Sequence, residues 1–171
     1  MKFSRAKQLC KTMNTIIIES APSGQYLSDG INSWRMPDGQ KYTARGIGTI
    51  MDFDLEAMAN NEIYVEERDV DSPLYNAERT DLDRPLVYRM SIRYQNQDLE
   101  IWQVHGEERL YILHTQAIGV LADVKNLQFC ARGQMAAAFE GMILVGLLPQ
   151  VGREHSREIL ATLAELGEMT P

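Results

Sequence analysis

Asp52, Asp54 and Glu56 alternate with apolar residues in MDFDLE, and three carboxylates at that spacing are this chain's best candidate for holding a hard cation. In an extended segment, residues two apart face the same way, so their oxygens can converge on Mg²⁺ or Ca²⁺. In a helix they diverge, and Asp54 becomes a natural N-cap for a turn that starts at Leu55; this reading outweighs the metal site. The acidic run Glu66, Glu67, Asp69 and Asp71 has neither the fixed spacing nor the glycine of a calcium loop. Arg45 to Gly48, RGIG, lacks the lysine of a phosphate loop. No serine, cysteine or lysine stands in a nucleophile motif. The sequence therefore predicts a non-enzyme without a cofactor, with a metal-dependent enzyme built on Asp52, Asp54 and Glu56 as the alternative.

Residues suited to binding are Trp34 with Arg35, beside the turn at Pro37 to Gly39, and Lys7 with Lys11, on one face of an N-terminal amphipathic segment. An aromatic next to an arginine near a loop can anchor a partner, or it can pack under the turn. Trp102, in the middle of an alternating segment, reads as core. The net charge of −7 disfavours a general nucleic-acid coat, because affinity for phosphates rests on many basic contacts. Residues 1–50 nevertheless carry a local +4 and residues 51–83 a local −9, so a small basic face formed by Lys7, Lys11 and Arg5 can coexist with an acidic chain. Cys10 and Cys130 lack metal-ligand spacing and read as buried thiols. The longest apolar run, Gly141 to Pro149, is far short of the roughly 20 residues of a spanning helix. The N-terminus carries no secretory core. These features predict one cytoplasmic domain over residues 1–171.

The elements that must position these residues are legible in outline. PLVYRMSIRYQNQDLEIWQVHGEERLYIL, Pro85 to Leu113, alternates with period two and reads as a three-stranded meander. Leu86, Tyr88, Met90, Ile92 and Tyr94 share one face in that reading. A four-residue turn, Gln95 to Asp98, sets Arg93 opposite Glu100, and His105 and His114 are ordinary strand-end residues. Ser4 caps a first helix with Ala6, Leu9, Cys10 and Met13 inward. Thr115 opens another, with Ala117, Ile118, Leu121 and Val124 as its buried stripe. Ser156 caps the C-terminal helix, 154–171, which carries Ile159, Leu160, Leu163 and Leu166 and stops at Gly167. Thr43 to Asn61 fits one helix better than a strand and a short helix. Glu62 to Glu67 is a strand, and residues 66–85 form an acidic loop with little to bury.

NTIIIESAPSGQYLSDGINSWRMP, Asn14 to Pro37, and NLQFCARGQMAAAFEGMILVGLLP, Asn126 to Pro149, echo one another. Each follows a helix. In each an Asn opens a strand, a Gly-Gln opens the next, an acidic-Gly pair turns it, and a third strand ends at Pro. The returning strand Met142 to Leu148 is apolar on both faces and must be central. The fold expected is therefore α+β, a mostly antiparallel sheet made from two helix-plus-three-strand units with a C-terminal helix. That layout resembles the repeating unit of DNA sliding clamps, and His114 to Pro149 is similar in layout to the last unit of bacterial clamps. QYLSDGINSWRMPDG with EGMILVGLLP resembles small uncharacterised proteins of bacterial prophages and mobile elements. The resemblances imply a non-catalytic interaction protein of clamp-like geometry. Its expected partners are a protein first and nucleic acid weakly, with homo-oligomers compatible and no membrane.

Overall fold

A computed structural model describes residues 1–165. Helix α1 (Phe3–Met13) leads into strands β1 (Thr15–Ala21), β2 (Gly24–Ser28) and β3 (Ser33–Arg35). Then come α2 (Ala44–Ile50), α3 (Leu55–Ala59) and β4 (Tyr64–Asp69). The meander is β5 (Arg84–Tyr94), β6 (Gln97–Val104) and β7 (Leu110–His114). Helix α4 (Thr115–Gly119) opens the second unit, β8 (Leu127–Arg132), β9 (Met135–Glu140) and β10 (Ile143–Pro149), before α5 (Arg153–Glu165). The architecture is α+β, with ten strands in the order β4-β1-β2-β3-β10-β9-β8-β5-β6-β7. Among the described residues only β1 and β4 run parallel.

Both units are built with the same turn chemistry. Asn14 and Asn126 each enter the first strand in the left-handed region, at φ 46° and 52°, where Asn is tolerated because its short amide replaces lost local hydrogen bonds. Gly30 and Gly141, at φ 91° and 61°, turn the second strand into the third, a conformation in which a side chain would be strained. The units meet where β3 pairs with β10, Trp34 opposite Gly146 and Ser33 opposite Leu147. That pairing puts the apolar β10 in the middle of the sheet, as its lack of alternation requires.

Cross-strand partners share a face, so the registers divide the core. Ile16, Ile18, Leu27, Trp34, Phe129, Ala136, Ala138 and Leu148 pack with Ala6 and Cys10 of α1, Ile47 of α2 and Ala117 of α4. On the opposite face Tyr26, Cys130, Ala137, Phe139, Leu144 and Leu147 are covered by Leu74 and Tyr75. The acidic segment thus does bury side chains, against expectation. It makes a 3₁₀ turn at Pro73–Tyr75 and a bridge between Glu78 and Ile143. Helix α5 covers Leu99, Ile101 and Ile112 through Ile159 and Leu163.

The meander forms as expected but its register differs. Gln95 and Asn96 both have positive φ, 47° and 63°, so the turn has two residues and Arg93 faces Asp98; Glu100 faces Ser91. A bulge between Tyr88 and Met90 splits the alternating row. Leu86 and Tyr88 lie opposite Val104 and Trp102 on the α1/α4 side, whereas Met90 and Ile92 lie opposite Ile101 and Leu99 on the α5 side. Thr43 to Asn61 forms two helices with a left-handed break at Asp52, φ 50°.

Helix starts depart from the expected caps. Lys2, with no side-chain cap, precedes α1, its backbone amide instead donating to the Val120 carbonyl at 2.6 Å. Ser156 lies inside α5, and its hydroxyl donates to the Val151 carbonyl at 2.9 Å. Leu166 and Gly167 lie outside the described residues.

Trp34 ties the two units together. It is fully buried in β3, and its indole Nε1 donates to the Ala117 carbonyl of α4 at 3.2 Å. Trp34→Ala is expected to cost about 3–5 kcal/mol in urea unfolding and Trp34→Phe about 1–2 kcal/mol. A surface residue would change stability by less than about 0.5 kcal/mol in either variant.

Candidate functional site

The sequence singled out a basic pair and an acidic cluster, and folding brings them together. Asp52, in its left-handed break, points its carboxylate at Lys7 (Nζ–Oδ2 2.6 Å), and Lys11 Nζ donates to the Asp52 carbonyl at 2.9 Å. Lys11 also lies 5.5 Å from the centre of the Phe53 ring. The hydrogen bond from Lys7, and then its charge, hold the Asp52 carboxyl below the usual range. Asp54 turns elsewhere and caps α3, accepting from the Glu56 and Ala57 amides at 2.8 and 3.3 Å. Glu56 follows in the first turn of that helix. The three carboxylates are thus spread over a break, a cap and a helix. Among the described residues no three His, Cys, Asp or Glu side chains are grouped to hold a metal ion.

The Trp34–Arg35 pair divides. Trp34 is core and presents no surface to a partner, because β3 lies between β2 and β10 with helices on that face. Arg35 pairs with Asp38 of the adjacent turn at 3.2 Å and lies over Gly24. Both cysteines are buried and unpaired; burial, with Asp29 adding to it, pushes the Cys10 thiol up to about 12.

Among the buried charges, Glu19 and Arg132 were not anticipated. Glu19 of β1, 2% exposed, accepts from Ser33 at 2.6 Å and from Tyr75 at 2.5 Å through Oε2, and from Arg68 at 2.5 Å through Oε1. Burial, then the bond to Glu19, pushes the Tyr75 phenol up from its ordinary value. Arg132 of β8 spends all five of its N–H groups. Nε and Nη2 hold both oxygens of Asp83 at 2.7 and 2.5 Å; Nη1 reaches the carbonyls of Leu74 and Asn76 at 2.9 and 3.0 Å, and Nη2 also that of Glu78 at 3.1 Å. The only local signal for either was a charged residue in an otherwise inward strand position.

A different surface feature stands out at β5. It pairs with β8 only at Arg84 and Pro85, then leaves it, so from Val87 to Tyr94 one flank carries no pairing strand among the described residues. Val87 and Tyr88 are 43% and 47% exposed at the start of that flank. The Tyr88 ring stands edge-on to Trp102 with centroids 5.5 Å apart, which holds it in place. Arg89 reaches across to Gln103. No family model, curated protein or solved structure matches this chain. No helix among the described residues is long and apolar enough to cross a membrane.

Burial raises the Asp83 carboxyl, but bonds from Arg132 and the Thr80 amide and the Arg132 charge outweigh it, and the net shift is downward. With its folded value below the unfolded one of about 3.9, Asp83 stabilises the fold above that pH and loses the contribution as pH falls through the folded value. Urea unfolding from pH 6 to pH 2 should therefore be flatter for Asp83→Asn than for the native chain. At pH 7, Arg132→Met should cost about 3–5 kcal/mol, because it strands a buried carboxylate. Asp52→Ala is expected to free Lys7, whereas Lys11 keeps its bond to the residue-52 carbonyl. Fluorescence anisotropy at low salt should then show duplex DNA bound more tightly than by the native chain, with the slope of log affinity against log salt steeper by about 1.

Proposed function

We propose that this chain is a non-catalytic interaction protein, of the kind carried by prophages and mobile elements, whose primary partner is a protein. The observation that carries the reading is the open flank of β5, where Val87 and Tyr88 stand exposed beside backbone that no strand pairs among the described residues. An exposed aromatic packed edge-on against a neighbouring ring can anchor a partner. The chemically potent side chains support the same reading, because Glu19, Tyr75, Asp83 and Arg132 are engaged with one another or with backbone. The two helix-plus-three-strand units supply the clamp-like frame, and the two free, buried thiols suit a reducing, cytoplasmic setting.

Nucleic acid is the weaker partner. Lys7 and Lys11 are occupied by Asp52, and two or three phosphate contacts would hold only at low salt.

Affinity capture with the tagged full chain from a bacterial host, quantified by mass spectrometry, tests the proposal. The expected result is one partner recovered near stoichiometry and reduced about tenfold by Tyr88→Glu, with the circular-dichroism melt of the variant retained. Recovery of the same partner in equal amount by Tyr88→Glu would place the interface elsewhere.

A further inference from the structure

The backbone on the open flank of β5 is as informative as its side chains. The two-residue turn at Gln95–Asn96 makes Tyr94 and Gln97 the closing pair, which exchanges both hydrogen bonds. Alternation then turns the N–H and C=O of Arg93 and Ser91 away from β6, toward the flank that β8 has left. Such a row of unpaired groups is a template for another strand.

We propose that β5 accepts an added strand along Val87–Tyr94, and that the strand is an extended segment of a partner protein in which apolar and acidic residues alternate. This deepens the reading of the chain as an interaction protein and rests on it. Both halves of the alternation follow from the register. Met90 and Ile92 share the face of Ile101 and Leu99, so every second residue of the added strand would extend an apolar row already packed under α5. Ser91 and Arg93 share the face of Glu100 and Asp98, so the intervening residues would stand beside them. Strand β5 contains Arg84, Arg89 and Arg93 and no acidic residue. Arg84 is tied to Glu107 at 3.2 Å, but Arg93 meets Asp98 only at 3.8 Å on the surface, and Arg89 bonds to Gln103. Carboxylates on the incoming strand, standing beside Ser91 and Arg93, would find the Arg93 guanidinium available; Arg89 is bonded to Gln103 on the opposite face, that of Ile101. A second copy of β5 is a poor occupant for the same reason, because antiparallel self-pairing would bring arginines together.

The test uses the full chain and an end-capped synthetic peptide alternating valine and glutamate. Calorimetry should show saturable binding, and hydrogen exchange at the amides of Ser91 and Arg93 should slow when the peptide is present. Ser91→Pro removes an outward donor without touching the β6 ladder and should abolish binding, whereas Ser91→Ala should retain it. Replacing glutamate by lysine in the peptide should weaken binding about tenfold, and Arg93→Glu should reverse that preference. Binding that survives Ser91→Pro, or unchanged exchange at Ser91 and Arg93, would overturn the proposal. So would self-association in sedimentation velocity that Ser91→Pro removes, since a second copy would then occupy the edge. Failure of the peptide while Tyr88-dependent capture persists would sink the added strand and leave the interaction reading standing; failure of both would sink both.

Discussion

A guanidinium with five donors and no freedom to leave any of them unmade sets the arrangement of one whole face of this protein. Arg132 projects from a β-strand into an environment where it is only 8% exposed, and an unpaired charge there would cost several kcal/mol. Its donors are met by one carboxylate and three backbone carbonyls, all from the segment between β4 and β5. That segment has no regular ladder of its own to satisfy those carbonyls. Each therefore answers the other's need, and the segment is held against the sheet with Leu74 and Tyr75 inward. Glu19 completes the attachment from the other unit, because the Tyr75 hydroxyl that it accepts belongs to the same segment. One strap thus crosses the junction of the two units and is fastened by a buried anion on one and a buried cation on the other.

Much of the architecture was legible because it rests on local chemistry. Asn14, Asn126, Gly30 and Gly141 sit in left-handed conformations that their residue types favour, and a double apolar pattern marked β10 as central. What was illegible depends on contacts distant in sequence. An alternating row such as Leu86 to Tyr94 reads as one face until a bulge at Arg89 moves half of it to the other, and a bulge leaves no mark in hydrophobic periodicity. The strap looked like a solvated loop because it is acidic and poor in apolar residues. Its binding energy comes from carbonyl oxygens, which every residue has and no composition reveals. Helix starts were misplaced for a related reason: Ser4 and Ser156 have the chemistry of caps, but the Ala6 amide bonds the Lys2 carbonyl and the Ser156 amide the Gly152 carbonyl, so each helix begins before its serine.

The candidate sites show the same division. Trp34 beside Arg35 could be an anchor or a core residue by type alone, and the strand neighbours on both sides of β3 decide for the core. The local +4 and −9 along the chain suggested separated charged surfaces, yet folding brings the two segments together at Lys7 and Asp52 and at Glu19 and Arg68, and Arg132 of the second unit meets Asp83 of the acidic stretch. Charge asymmetry in a sequence describes a surface only when the oppositely charged segments stay apart. Here they are the segments that pack on one another.

The exception follows from the geometry of the sheet. A strand of 11 residues cannot pair along its length with a neighbour of 6 while also carrying a bulge that raises its twist. Strand β5 therefore leaves β8 after two residues and continues as part of a three-stranded extension. Natural edges are usually shielded by short length, by charge or by a covering segment. Strand β5 is long and has charge, in Arg89 and Arg93, and among the described residues no strand pairs with its free flank. Charge on an edge repels a copy of itself and admits a strand of opposite sign, so the device that keeps this edge from pairing with another β5 is also one that can select its partner.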